Sequence, residues 1–423
     1  MILIYRFIIN IIFPFIVIII FFRTWFNKED KKRYKEKLFS SSFNIHKNFE
    51  KKLIWFHVAS IGELKSITPL IKKLNNENKY NFLITTVTLS SAQLIKKELF
   101  NEKNIIHRFF PVDKLKLVKN FIERWSPNLI IFVDSEIWPN FLLEIKIRKI
   151  PLILLNGRIT KKTFLRWNTV PKIAEKIFKS FDLCLPSSLE SKHYLEKFKV
   201  KKIKYFGNLK FTSENGLDSL NLDNKKILNN NKFWCAISTH EGEDIFCLKT
   251  HLHLKKIYKN IITIIIPRHI YRANDIKKSC DNLTLSSQIL SDGELINSDK
   301  EVIIINSYGV ISKYLKICKS VFIGKSIIKK LSSVGGQNPI EAAKFGCKIY
   351  HGPYVQNFKD IYDLLNDYKI SETINNDIEL SKKLENDFKN LNHIKNDKIL
   401  IINNLGKKIL NDTYRELVNI LNK

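Results

Sequence analysis

Glu63 is the residue around which the chain's chemistry can be organised. It follows Leu53–Val58, a short apolar and aromatic run of the kind that forms a buried strand. Ser60-Ile-Gly-Glu63 turns the chain, and Leu64, Ile67, Leu70 and Ile71 then recur at helical spacing. The spacing therefore puts Glu63 at a strand-to-helix junction, where open α/β sheets bind ligands. Two readings stand. Ser60 and Glu63 match a capping box, in which serine caps the helix and the glutamate reaches back to it. Glu63 also suits a general base.

Other junctions carry polar clusters of the same type. They are Asp134-Ser-Glu136-Ile-Trp-Pro-Asn140, Asn156-Gly-Arg158, Gly207-Asn-Leu-Lys210, Ser238-Thr-His240-Glu241-Gly-Glu243 and Pro267-Arg268-His269. Each alone is ordinary loop and cap chemistry, since acidic residues favour the first turn of a helix. So many at the carboxyl ends of strands point to a site. The densest is Gly335-Gly-Gln-Asn338-Pro339-Ile340-Glu341, with Gly346 and His351-Gly-Pro353 beyond. Gly-Gly gives backbone freedom beside a ligand. Asn338 can cap a helix that has Pro339 at its first position. A helix start suits a phosphate, and Glu341 could accept from ribose hydroxyls. His251-x-His253, near His240 and Glu243, is the nearest approach to metal-ligand spacing, but it matches no zinc motif, so no metal is expected.

Strand-like runs recur between amphipathic helical patterns. In the first half they are Leu53–Val58, Asn81–Thr88, Ile105–Phe110, Leu129–Val133, Leu152–Leu155, Leu183–Leu185 and Ile203–Phe206. In the second half they are Phe233–Ile237, Ile261–Ile266, Val302–Ile305, Ser320–Ile323 and Lys348–Tyr350. The alternation predicts an α/β fold with two Rossmann-like, doubly wound parallel-sheet domains. The expected divisions are an anchor over 1–22 and a basic juxtamembrane segment over 23–52. A first domain over 53–212, a polar linker over 213–232, a second domain over 233–396 and a terminal helix over 397–423 follow. Neither a dinucleotide fingerprint nor a Walker A loop occurs in the sequence.

Residues 1–22 are almost wholly apolar, interrupted by Tyr5, Arg6, Asn10 and Pro14, and a basic stretch follows. At ~1.5 Å per residue the segment is about long enough to cross a bilayer. No small-residue cleavage site follows, and the basic flank places the rest of the chain in the cytoplasm. Arg6 and Pro14 also permit a shallow, monotopic anchor. The net charge of +30 has two readings: an anionic partner, or lysine spread over solvated faces in a chain rich in Lys, Asn and Ile. No basic run interleaved with aromatics suggests nucleic acid as a partner. The six scattered cysteines lie mostly in apolar runs and read as reduced, buried thiols.

Taken in order, His57–Glu63, Ser135–Asn140, Gly207–Phe211, Ser238–Glu243, Pro267–His269, Gly335–Glu341, Gly352-Pro353 and Asn357–Asp360 resemble the 3-deoxy-D-manno-octulosonic acid (Kdo) transferases, a GT-B glycosyltransferase family. The resemblance runs from the N-terminal anchor to about residue 365. It implies inverting transfer of Kdo from CMP-Kdo to the lipid A precursor lipid IVA, at the cytoplasmic face of the inner membrane. No metal or other cofactor is implied. It makes Glu63 the base and matches Asp134 and Lys210 to positions that stabilise the transition state. Pro267, Arg268, Tyr308, Gly309, Val310, Asn338, Pro339, Ile340 and Glu341 match the CMP site. Three departures stand out. Asp134 replaces a glutamate, Gln337 stands where many members have histidine, and Tyr308-Gly-Val310 differs from an acidic Met-Gly-Glu pattern. Two alternatives remain: a GT-B transferase for another nucleotide sugar, and a non-catalytic nucleotide- or lipid-binding protein on the same fold.

Overall fold

Parallel strands buried on both faces read as unbroken apolar runs, and those runs build two separate sheets. The computed structural model describes residues 2–43, 50–99, 102–213, 219–390 and 394–422. The chain forms two compact units, 1–214 with 406–423, and 215–405.

The first unit holds β1 (Lys52–Val58), β2 (Tyr80–Thr86), β3 (Ile105–Phe109), β4 (Leu129–Val133), β5 (Leu152–Gly157) and β6 (Leu183–Pro186). Their order is β3-β2-β1-β4-β5-β6, all parallel. The order reverses between β1 and β4, so loops after these two strands open on the switch point where such sheets bind ligands. Beneath lies an aromatic core: Trp55 sits 5.0 Å from Phe121, 5.7 Å from Phe141 and 5.8 Å from Phe132 between ring centroids. Helices α1 (Ile2–Trp25) and α2 (Ile61–Asn75) belong to this unit.

The second unit holds β7 (Lys232–Thr239), β8 (Ile261–Pro267), β9 (Ser287–Leu290), β10 (Val302–Ile305), β11 (Ser320–Ile323), β12 (Lys348–His351) and β13 (Ser371–Thr373). Their order, β13-β12-β11-β7-β8-β10-β9, is again all parallel. Its switch point lies between β7 and β11. The two-domain GT-B class expected from the sequence is the observed fold, with an apolar N-terminal helix preceding it.

Several local expectations are corrected. Ile203–Phe206 is not a strand; only Ile203 bridges Cys184, because Lys202 and Lys204 turn to Glu416 at 2.7 and 2.5 Å. The short strands β9 and β13 escape the sequence reading because edge strands with polar, half-exposed residues leave no apolar run. The polar stretch 213–232 is not a bare linker. Its residues 214–218 lie outside the described residues, but Leu222–Asn230 is a helix. Asn224 is buried there and fixes the chain at both ends, accepting from Ile296 N at 2.8 Å and donating to Glu294 O at 2.8 Å.

The basic segment 23–52 folds into the first unit. Lys37 is buried against Glu29 at 2.5 Å and Val87 O at 2.7 Å, while Glu36 accepts from Phe109 N. The final helix runs Ile394–Leu421, and from Gly406 onward it belongs to the first unit. All six cysteines are buried, as expected.

Candidate active site

The first unit's candidate site grows from the loops after β1 and β4. Ser60 caps α2 by accepting from Glu63 N at 3.3 Å. The Glu63 carboxylate leans back over the loop, accepting from Ala59 N at 2.7 Å and Ser60 Oγ at 2.9 Å. The capping reading is therefore realised in its main feature, and it fixes the carboxylate at the carboxyl end of β1. Capping does not exhaust Glu63, because the group is half-buried beside other acids. Burial pushes its pKa up; the Ala59 and Ser60 bonds oppose this, and the charges of Asp134 and Glu136 add to it, leaving it at about 7. A carboxylate so placed can hold or release a proton near neutral pH. Activity that depends on ionised Glu63 should fall about tenfold per pH unit below about 7 in a kcat/KM profile. A profile flat down to pH ~5 would contradict this.

Asp134 ends β4 in the left-handed region, at φ +61°, which an aspartate tolerates better than most residues. Its main chain is held on both sides, by Asp134 N to Leu155 O and Arg158 N to Asp134 O, each 3.0 Å. Its buried carboxylate faces Lys210 at 3.8 Å. Burial raises the Asp134 pKa, with Lys210 and Arg158 opposing. Lys210 is placed by two asparagines. Asn156 accepts from Leu209 N at 2.8 Å, and Asn208 accepts from Lys210 N at 3.0 Å. The structure thus brings Glu63, Asp134 and Lys210 to one end of one sheet.

It also adds a pair that the motifs quote without joining. His57, fully buried in β1, lies with Nε2 3.0 Å from Glu136 Oε2, which also accepts from Trp138 Nε1 at 2.8 Å. Burial pushes Glu136 up, but these bonds and the His57 charge outweigh it and hold the carboxyl below its ordinary value. His57 Nδ1 contacts Thr85 Oγ1 at 3.0 Å, and the ring stacks on Phe110 at 3.6 Å. The signal available in sequence was a histidine inside an apolar strand, which needs a polar partner once buried.

In the second unit, Glu243 organises the switch point. Fully buried, it accepts from His240 N, Lys325 N, Ser326 N and Ile327 N at 2.9, 2.6, 2.8 and 3.2 Å. It thus ties the loop after β7 to the loop after β11. Burial raises its pKa against those four bonds. Gly324 lets the loops meet: a Cβ there would lie 2.6 Å from Ser238 O and 2.7 Å from Glu243 Oε2. Glu243→Ala strands several buried N–H groups and should cost at least ~2–3 kcal/mol of stability. Denaturant unfolding measures it, and an unchanged midpoint would refute the role.

Among the expected CMP residues, Pro267 closes β8 in the core, and Arg268 is exposed just beyond it, its N bonded to Thr239 O at 3.1 Å. Tyr308 is exposed and Gly309 has φ +80°. Val310 is buried, so its side chain serves packing and only its backbone could meet a ligand. Asn338 accepts from Ile340 N at 3.2 Å at the start of the helix Ile340–Lys344. That helix has only 5 residues, so its dipole is small. Pro339 and Ile340 are buried, whereas Glu341 is exposed.

A pocket of about 780 Å³ opens beside the β7 and β8 loops, lined by His240, Asp244, His269, Tyr271, Arg272 and Lys330. Arg272 bonds Asp244, which also accepts from Thr239 Oγ1. Sequence spacing did not mark Arg272, which lies in a short turn past the quoted motif. His251 and His253 are not a ligand pair. The first meets Thr263 and Glu301, the second Asp377.

The profile of the 3-Deoxy-D-manno-octulosonic-acid transferase (kdotransferase) family matches residues 32–213. The chain is 30% identical over 365 residues to the 3-deoxy-D-manno-octulosonic acid transferase of Rickettsia bellii, covering 84% of each chain. It is 27% identical over 318 residues to that of Haemophilus influenzae, covering 74% of this chain and 73% of the relative. In fold it is similar to a UDP-GlcNAc 2-epimerase from Neisseria meningitidis, with TM-score 0.57 at 12% identity, over 88% of this chain and 99% of that one. A match of this identity over most of both chains, together with two parallel sheets whose switch-point loops carry the motifs, makes the chain a member of the Kdo transferase family of glycosyltransferases.

Proposed function

We propose that the protein transfers Kdo from CMP-Kdo to lipid IVA, with inversion and with Glu63 as the general base. The observation that carries this reading is the Glu63 carboxylate, fixed at the end of β1 with a pKa of about 7 and flanked by the Asp134–Lys210 pair. In the proposed step an acceptor hydroxyl oxygen bonds to the anomeric carbon as the carbon–oxygen bond to the CMP phosphate breaks. The hydroxyl proton goes to Glu63, and CMP leaves with the bonding electrons. The transition state resembles an oxocarbenium ion, so a positioned carboxylate and cations aimed at the departing phosphate lower the barrier. Within the first unit Lys210 is the proposed cation, and no metal is required by the proposal. Pro267, Arg268, the 308–310 backbone and Asn338–Glu341 are the proposed CMP contacts. The N-terminal apolar helix is the proposed attachment to the cytoplasmic face of the inner membrane, where a lipid acceptor would lie.

The test is a donor panel: the full chain with CMP-Kdo, CMP-sialic acid and UDP-N-acetylglucosamine, with lipid IVA as acceptor. Turnover with CMP-Kdo alone supports the reading. Turnover with another donor instead points to a different GT-B transferase. CMP binding without turnover points to a binding protein.

A further inference from the structure

We infer that α1 is an in-plane, interfacial helix, lying along the first unit and meeting the bilayer with its outer face, and that it does not cross the membrane. This deepens the proposed membrane attachment and rests on it.

The covered residues of α1 cluster on one face at three- and four-residue spacing along its length: Ile20 is buried, and Ile2, Tyr5, Arg6, Ile9, Phe13, Ile16, Val17 and Thr24 are half-buried. That is one face of a helix laid against a body from end to end. Ile2 and Phe13 pack on the first unit's core, and Lys114 Nζ sits 4.0 Å from the Phe13 ring centre. The N-terminal turns are fastened by polar contacts. Tyr5 OH donates to Asp113 Oδ2 at 2.7 Å. Arg6 Nε donates to Asn140 Oδ1 at 2.9 Å, and its guanidinium lies 3.6 Å from Glu144. Asp113 in turn accepts from Asn140 N and Phe141 N, so the first turns of α1 are tied to the start of the helix Pro139–Ile147.

A spanning helix cannot keep these contacts. Arg6 and Arg23 are separated by ~25 Å of helix rise, close to the thickness of the hydrocarbon core. With the folded unit on one side of the bilayer, Tyr5 and Arg6 would lie near the other, out of reach of Asp113 and Asn140.

Among the described residues, nothing covers the opposite face. Leu3 is 76% exposed, Phe7 65%, Phe15 61% and Ile19 57%. A soluble core helix does not leave such a stripe open. At the C-terminal end Trp25 and Phe26 are exposed beside Arg23, Lys28, Lys31 and Lys32. An apolar stripe with an aromatic and cationic end fits the acyl–headgroup boundary of an anionic bilayer.

Two measurements on the full chain test this. The first is flotation with vesicles of phosphatidylcholine containing about 30% phosphatidylglycerol. The second adds an N-terminal epitope tag and exposes intact spheroplasts to protease. The inference predicts that the protein floats and that the tag is cut only after lysis. It also predicts that Phe7→Glu with Phe15→Glu, both at exposed positions, lowers the bound fraction at least ~10-fold while the fold is kept. Flotation with a tag cut in intact spheroplasts would overturn the in-plane helix and leave membrane attachment standing. Failure of the parent chain to float would overturn both. Undiminished flotation of the double variant would overturn the role of this face.

Discussion

Glu63→Gln is expected to fold like the parent and to lose about 10²–10⁴-fold in kcat, the usual effect of removing a positioned base. The substitution separates the two roles that Glu63 holds. Glutamine serves a capping box as glutamate does, so the start of α2 should be preserved. What it lacks is a proton-accepting carboxylate. Stability should follow the sign of the shift. The folded state raises the Glu63 pKa from 4.5 to about 7, so folding favours the protonated form. That contribution is fully present below the unfolded value and is lost as pH rises through about 7. Glutamine never ionises. The Tm of Glu63→Gln should therefore match the parent near pH ~5 and equal or exceed it near pH ~8. A folded variant with a near-parental rate would leave Glu63 as a cap alone.

Lys210→Ala is expected to lower kcat by about 10²–10³-fold, as for the loss of one oriented donor to a developing charge. The side chain is only 24% exposed, and its backbone is set by Asn156 and Asn208. Its ammonium is thus positioned before substrate arrives. Alanine would also leave the buried Asp134 carboxylate without the cation 3.8 Å away and raise its pKa further. Lys210→Arg, which keeps the charge, should recover part of the rate. Single-turnover kinetics with saturating donor separate this from a binding defect, and an unchanged single-turnover rate in Lys210→Ala would exclude the role.

The sheets were legible because parallel strands such as Leu129–Val133 are buried on both faces and spell themselves as apolar runs. Edge strands are not obliged to do so, and Ser287–Leu290 and Ser371–Thr373 were missed for that reason. Ile203–Phe206 misled in the other direction. Ile203 packs on the first unit's core but Tyr205 is exposed, while Lys204 and the preceding Lys202 reach Glu416, which is 212 residues away from Lys204. The site was legible as separate loops. Which loops meet depends on strand order, and composition does not encode that β1 lies beside β4. For the same reason the His57–Glu136 contact, 79 residues apart in sequence, was invisible. Glu243 was visible as a polar residue in a motif, but its four backbone partners come from two loops and mark it as a brace.

The most direct test of the account is product mass spectrometry on the purified full chain with CMP-Kdo, generated in situ, and lipid IVA. Lipid IVA is expected to gain the mass of one or more Kdo residues, CMP to be released in equal number, and both to form at least ~10²-fold more slowly with Glu63→Gln. An unmodified acceptor in the presence of an active control enzyme, or a product formed equally well by Glu63→Gln, would contradict it.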